Sequence, residues 1–296
     1  MPSLTIAASR PNSRRRSKLE VFLRNPRGMV SIIVILLFLA MALLPNSLLP
    51  ADPNKQALRS RFQPPVWVEG GSWARPLGAD NLGRDILSRT LRGARISLLT
   101  TAASVALGAI LGVTLGLIAG FYGGWFDEVI SRLMDIQLAF PLMLLMIAIV
   151  GVLGSSLPVL VAALAISAWP RYARLIRGSA LTLRGREFIE ASHALGSRSL
   201  RTLFKHVAPN AISPIIVFTT FELSRIILIE SSLSFLGLGV PPPTPSWGSI
   251  VADGRTYLLD SWWISAFPGI MIVVLVLAFN SLGDVLRDLL DPQVRG

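Results

Sequence analysis

Residues 136–170 read IQLAFPLMLLMIAIVGVLGSSLPVLVAALAISAWP, 35 residues without a formal charge. At ~1.5 Å per residue a single straight helix of that length would measure ~52 Å, well beyond the ~30 Å hydrocarbon core of a bilayer. The block therefore reads as two spans, 132–153 and 157–176, with the turn at Gly151–Pro158. Parity makes this count decisive, because it sets the side on which the polar, basic segment Arg184–Pro214 lies. One crossing would export that segment together with Arg171, Arg174 and Arg177, against the tendency of Lys and Arg to stay inside. Two crossings keep them in.

Composition agrees with a chain that lives in lipid. Of 296 residues 52% are apolar, and the mean hydropathy is +0.60, which points to an all-α polytopic membrane protein. The net charge of +11 is then a matter of topology rather than of nucleic-acid binding. With no cysteine, disulfides, thiolate metal sites and a Cys nucleophile are excluded. The only histidines, His193 and His206, lie in the polar segment, so no histidine-based metal or catalytic centre is expected in the membrane.

The chain opens with a basic tail, residues 1–28, whose arginines suggest a signal peptide. However, the apolar run 29–49 is long enough to span and no small-x-small cleavage site follows it, so it reads as a first span with a cytoplasmic tail. Leu19–Leu23 reads as a short interfacial piece before it. Residues 50–95 are rich in Pro and Gly and stay outside. The basic stretch Arg84–Arg95 reads as a separate amphipathic helix on the outer surface, with Ile86, Leu87, Leu91 and Ala94 turned to lipid or protein. The second span, 96–120, carries Gly108, Gly112, Gly116 and Gly120 four apart on one face, the pattern of a close helix–helix contact. Span five, 211–236, contains Glu222, Arg225 and Glu230. Charges at such depth face protein or water, as a packed ion pair between helices or as a lining of a translocation path. Residues 237–262 are an outer loop; the prolines and glycines of the stretch Leu233–Gly248 exclude a regular helix there and make a rigid turn, with Trp247, Trp262 and Trp263 as interfacial anchors. The last span, 264–282, leads to a cytoplasmic tail, 283–296. These assignments put 18 of the 28 Lys and Arg inside, with both termini cytoplasmic.

The segment 184–210 is the most informative polar stretch. Phe188, Ala191, Ala194 and Leu195 share one helical face and Gly196 ends that helix. A second short helix carries Leu200, Leu203, Phe204 and Val207 on one side. Two short basic amphipathic helices joined by a glycine suit a dock for another protein. The spacing of Glu190-Ala191-Ser192, Gly196 and Pro209 resembles the EAA loop of ABC-transporter permeases, with Ser192 in place of the second alanine. Lys205-His206-Val207-Ala208-Pro209-Asn210 is similar to the dipeptide/oligopeptide/nickel branch, with Ala208 where leucine is usual. Pro76–Asp85, Gly93–Leu98, Leu233–Gly239 with Pro241, Pro242 and Ser246-Trp247-Gly248, and Gly283–Pro292 resemble further stretches of that branch, so the likeness runs in segments over 76–292.

That resemblance implies a type I ABC importer permease fold with six transmembrane helices, of the second, C-type permease. It implies Glu187, Glu190, Ala191, Ser192, Ala194, Leu195, Gly196 and Pro209 as the surface coupling to an ATPase. Asp80, Arg84, Asp85, Pro242 and Trp247 are expected to contact a solute-binding protein. Glu230 fits an acidic position of the family, whereas Glu222 and Arg225, three apart and able to pair on one face, match no motif. All three are candidates for the path by their charge. The implied partners are a second permease, two ATPase subunits, an extracytoplasmic binding protein and membrane lipid, with no nucleic acid. No G-x-x-x-x-G-K-[ST] occurs and none of the three lysines follows a glycine, so ATP and Mg²⁺ are expected on the partner ATPases and no enzymatic activity on this chain. Peptides are the expected cargo. Nickel chelates and glutathione-like compounds share the scaffold, and a secondary transporter is the reading from another class, which more often has ten or more spans in repeated halves.

Overall fold

A computed structural model describes residues 22, 24–187, 189, 197 and 199–290. Among the described residues the regular structure is helical, apart from two isolated bridges, Ser72–Arg75 and Ala79–Asp85. The long elements are α1 (Pro26–Leu43), α2 (Ile86–Tyr122), α3 (Gly124–Ala139), α4 (Leu142–Leu153), α5 (Leu157–Arg184), α6 (Ile212–Phe235), α7 (Trp247–Gly254) and α8 (Trp263–Leu290). Leu19–Leu23 falls largely outside the described residues.

The glycine seam of α2 packs against α5. A Cβ added at Gly108 would lie 2.6 Å from Ala168 Cβ, at Gly112 2.5 Å from Tyr172 Cβ, at Gly116 2.5 Å from the Ala173 carbonyl, and at Gly120 2.6 Å from the Arg177 carbonyl. Only glycine lets the two backbones approach so closely. Higher up, Ser104 Oγ donates to the Val161 carbonyl at 3.2 Å. Both residue series rise together, so α2 and α5 run parallel. The chain between them must therefore return across the same thickness, and the bent pair α3–α4 does so. Its two arms, 16 and 12 residues long, meet at 92°. Arms of ~24 and ~18 Å at that angle cover ~30 Å end to end, one bilayer core.

The expected straight span 132–153 is thus corrected to a bent one that starts at Gly124. Pro141 causes the break: the residue before a proline is pushed out of the helical region, and Phe140 is extended (ψ 137°). Gly123 and Gly124, at φ +68° and +55°, make the turn from α2 into α3, and Gly154, at φ +83°, ends α4.

The remaining helices are antiparallel to their neighbours. Tyr172 of α5 reaches Thr219 of α6 while Ser167 meets Arg225, and Ser224 of α6 meets Val276 of α8 while Gly283 meets Thr220. Among the described residues five helices are long and apolar enough to cross a membrane, and the bent pair makes a sixth crossing. This arrangement puts the start of α1, the 184–210 segment and the end of α8 on one side.

Other boundaries differ from the sequence reading as well, and α5 and α8 run on past the expected inner limits 176 and 282. α1 starts at Pro26, capped by the Asn25 side chain, and stops at Leu43, because Pro45 makes Leu44 extended. α2 is one helix of 37 residues, so the separate surface helix over 84–95 does not exist. Asp85 caps it through Ser88 N at 2.7 Å, no breaker interrupts it, and its polar first turns are covered by protein. Ile86 and Ala94 are fully buried.

Candidate coupling segment and translocation path

On the inner side, Ile189, Leu203 and Val207 are buried against Leu117 and Phe121 of α2 and Ile176 and Ala180 of α5. Their apolar side is therefore fastened to the membrane helices. The outward side carries Glu187, Phe204, Lys205 and Pro209, all exposed, with Phe204 68% accessible. Phe204 was expected beside Leu203 and Val207; instead Leu203–Val207 winds as a π turn, and the wider winding turns the ring outward. Glu190, Ala191, Ser192, Ala194, Leu195 and Gly196 lie outside the described residues, as does Phe188. Next to this surface, α3 is tied to α5 by Asp127–Arg177 and by Asp135–Arg174 at 2.8 Å, pairs that no sequence motif announced.

Near the middle of α5 and α6 lies a charged cluster. Arg225 donates to Glu222 Oε1 from Nε at 2.9 Å and again from Nη2, and Arg225 Nη2 lies 3.4 Å from the Ser167 carbonyl. Arg171 approaches Glu222 Oε2 at 3.7 Å and stands 5.8 Å from the centroid of the Phe218 ring. Tyr172 donates to Thr219 Oγ1 at 3.0 Å beside them. Glu222 is buried, whereas the side chains of Arg225 and Arg171 are 21% and 43% exposed. The expected Glu222–Arg225 pair is present. Arg171 was not a candidate, because the hydropathy limits placed it near the cytoplasmic end of its span.

Arg171 follows Pro170, which lacks an N–H and leaves the Ile166 carbonyl without its helical donor. The Gln137 side chain of α3 supplies that donor through Nε2, and its Oε1 accepts from Trp169 Nε1 at 2.8 Å. The polar residue in the apolar 136–170 block thus closes a backbone gap opposite it.

Glu230 is not part of this surface. It is completely enclosed, accepts from Ser234 Oγ at 2.9 Å and lies 3.4 Å from Ser231 Oγ. Gly248 of α7 sits so close to Ser231 and Ser234 that a Cβ there would overlap them, so α7 closes over the carboxylate. Its expected place in the path is corrected to an internal one.

The outer cap also departs from expectation. Asp80 accepts from Leu82 N and Arg84 N, both at 2.9 Å, and from Arg84 Nε at 2.6 Å. Arg84 and Arg89 each donate to Asp253 Oδ2 at 3.1 Å, which joins the loop and the start of α2 to α7. Asp80, Asp85 and Trp247 are buried and Arg84 nearly so; they brace the cap and offer no contact surface, whereas Pro242 is exposed. Trp247 Nε1 donates to the Thr90 carbonyl at 2.9 Å and Trp263 Nε1 to the Ala79 carbonyl at 3.2 Å. Those two indoles are internal, and only Trp262 of the expected anchors is well exposed. The loop 237–262 contains a helix after all: α7 starts at a capping box made by Ser246 and Ser249.

Six crossings, a parallel glycine seam and an exposed basic turn on the inner face define a polytopic helical membrane protein. Residues 112–296 match the family described as binding-protein-dependent transport system inner membrane component, and residues 14–65 match the N-terminal transmembrane domain of oligopeptide transport permease C. The chain belongs to this family of inner-membrane transport permeases and is a multi-pass protein of that membrane. It is 43% identical to a di/tripeptide transport system permease protein of Pseudomonas aeruginosa over 276 residues, 93% of this chain and 91% of that one. A dipeptide transport system permease protein of Escherichia coli is 41% identical over 274 residues, with the same coverage. In structure the chain is similar to the inward-facing MetNI methionine ABC transporter, with a TM-score of 0.57 and 20% identity over 69% of this chain and 97% of that one. The fold is that of a type I ABC importer permease.

Proposed function

We propose that this chain is the membrane-spanning permease subunit of an ATP-driven importer of short peptides. It forms half of the translocation path with a second permease and receives cargo from an extracytoplasmic binding protein. The observation that carries this reading is the likeness to di/tripeptide and dipeptide permeases over 93% of the chain. ATP and Mg²⁺ belong to two partner ATPase subunits, in keeping with the missing P-loop. The exposed side of 184–210, with Glu187, Phe204, Lys205 and Pro209, meets the ATPase surface together with Glu190, Ala191, Ser192, Ala194, Leu195 and Gly196. The buried Ile189, Leu203 and Val207 make that segment a stiff lever on the inner ends of α2 and α5. Nucleotide-driven closure of the ATPases then biases the helices between two packings. Glu222 and Arg225 belong to the path in this reading, and exposed Pro242 to the docking face of the binding protein.

Reconstitution of the chain with its partner subunits and binding protein tests the reading. ATP-dependent uptake of a labelled dipeptide is expected, and Gly196→Val should abolish uptake while the complex still assembles. Normal uptake by that variant would count against the lever. A second reading has its own support: a glutathione transport permease of Pectobacterium atrosepticum is 41% identical over 274 residues. Competition of dipeptide uptake by glutathione separates the two.

A further inference from the structure

Arg171 is in an unusual position for a cation. It lies halfway along α5, and its neighbour Glu222 lies near the middle of α6, so both stand deep between the two membrane faces. Its side chain is nevertheless 43% exposed. A guanidinium at that depth is not left facing hydrocarbon, since an Arg at the centre of a span costs about 2.5–3.5 kcal/mol even on insertion scales. The side it is exposed to is therefore aqueous or protein.

The cluster is also short of negative charge. Arg171, Arg225 and Glu222 sum to one net positive charge, and the remaining polar neighbours, Tyr172, Thr219 and the Ser167 carbonyl, are neutral. Of the acids on α3, Asp135 pairs with Arg174 and Asp127 with Arg177, and Glu128 is exposed beside the Asp127–Arg177 pair. Arg225 holds Glu222 by two hydrogen bonds, while Arg171 has only its 3.7 Å approach through Nε. Both Nη atoms of Arg171 are without a hydrogen bond among the described residues. Phe218 stacks on the guanidinium and orients its plane.

The same Phe218 is also part of the lining of a groove of about 400 Å³ that lies on the inner side of this cluster, bounded by Leu175, Val217, Phe221 and, at its far end, Arg287 and Leu290 of α8. We propose that Arg171 is the mid-membrane receptor for the free carboxylate of the transiting peptide. A carboxylate matches the unused fork of Arg171 in a bidentate pair and neutralises the surplus charge. The groove takes side chains of varied size by apolar contact, and the terminal carboxylate is the anionic group that every unmodified peptide shares. Glu222 and Arg225 are positioning residues in this scheme. The inference rests on the peptide reading above.

Binding to the purified complex of both permeases and the ATPases, without the binding protein, tests it with labelled Ala-Ala and with its C-terminal amide. Arg171→Gln is expected to weaken Ala-Ala binding about tenfold or more and to leave the weak binding of the amide unchanged, with Arg171→Lys in between. Equal losses for both ligands, no loss for Ala-Ala, or no binding to the unaltered complex overturns the proposal. So does loss of the second permease from the Arg171→Gln complex, which would make Arg171 a subunit contact. ATP-driven Ala-Ala uptake by the unaltered complex keeps the two readings apart. Uptake with no effect of Arg171 defeats this inference alone, whereas no uptake defeats the peptide reading beneath it.

Discussion

Replacing Gly116 by alanine adds one methyl group where the structure has no room for it. The new Cβ would stand 2.5 Å from the Ala173 carbonyl oxygen and 2.9 Å from Ala173 Cα, both backbone atoms of a helix that cannot turn aside. A relaxed carbon–oxygen contact needs about 3.3–3.6 Å, so α2 and α5 must part by about 1 Å. A gap of that size forfeits about a quarter to a half of the dispersion energy of each contact it opens. Overpacking of this kind costs about 1–3 kcal/mol. Gly178 on α5 is the control, because a Cβ there meets nothing within 4 Å. Alanine at that position should be neutral or stabilise by up to about 1 kcal/mol through helix propensity. The two variants should differ by about 2–3 kcal/mol, or roughly 5–10 °C in Tm at about 2–4 °C per kcal/mol. Thermal unfolding of the purified chain in detergent, followed by size-exclusion chromatography of the heated samples, measures the gap. If the two variants melt together, the close parallel seam is wrong, and the crossing number derived from it loses its support.

Other perturbations probe the rest of the molecule. The chain has no cysteine, so single cysteines at exposed Trp73 and Phe204 give clean labelling sites; a membrane-impermeant maleimide should reach the first from outside and the second only after permeabilisation. The converse pattern would invert the topology. Gln137→Leu strands the Ile166 carbonyl opposite Pro170, removes the acceptor of Trp169 Nε1 and should lower stability by about 1–3 kcal/mol. Equal stability of Gln137→Leu and the parent, measured by unfolding in detergent, would refute that bridge. Asp80→Ala leaves Arg89, buried apart from 3% of its side chain, with Asp253 as its remaining acid, and removes the acceptor of three hydrogen bonds. A loss of about 3 kcal/mol or more is expected, read as protease cleavage of the 50–85 loop in sealed cells, and resistance equal to the parent would argue against the brace.

Much of the architecture was legible without coordinates, because a bilayer imposes rules that act residue by residue. Uncharged runs had to be spans, the length of 136–170 required two of them, and basic loops chose the side. The four-residue glycine spacing announced a helix contact. Hydropathy could not reveal that the third span is bent by 92° at Pro141, that α2 continues through Arg89, Arg92 and Arg95, or that a helix sits between Pro241 and Trp262. The continuation of α2 depends on what covers its first turns from elsewhere in the chain, whereas the bend at Pro141 and the cap at Ser246 are local signals that a hydropathy count does not register. The arginines at the start of α2 are read as part of a separate surface helix until Asp80 and Asp253 are seen against Arg89.

The site residues divide in the same way. Local spacing sufficed for the Glu222–Arg225 pair, since both partners lie within one helical turn. Burial of Asp80, Trp247 and Glu230, and exposure of Phe204 and Arg171, arise from contacts between residues far apart in the chain, and no window of sequence contains both sides of such a contact. Sequence alone thus determined how many times the chain crosses the membrane and which side its basic turn occupies, because those depend on each segment's own transfer energy. Which charges are enclosed as struts and which stay exposed was decided only by the packed helices, because that depends on what each side chain meets.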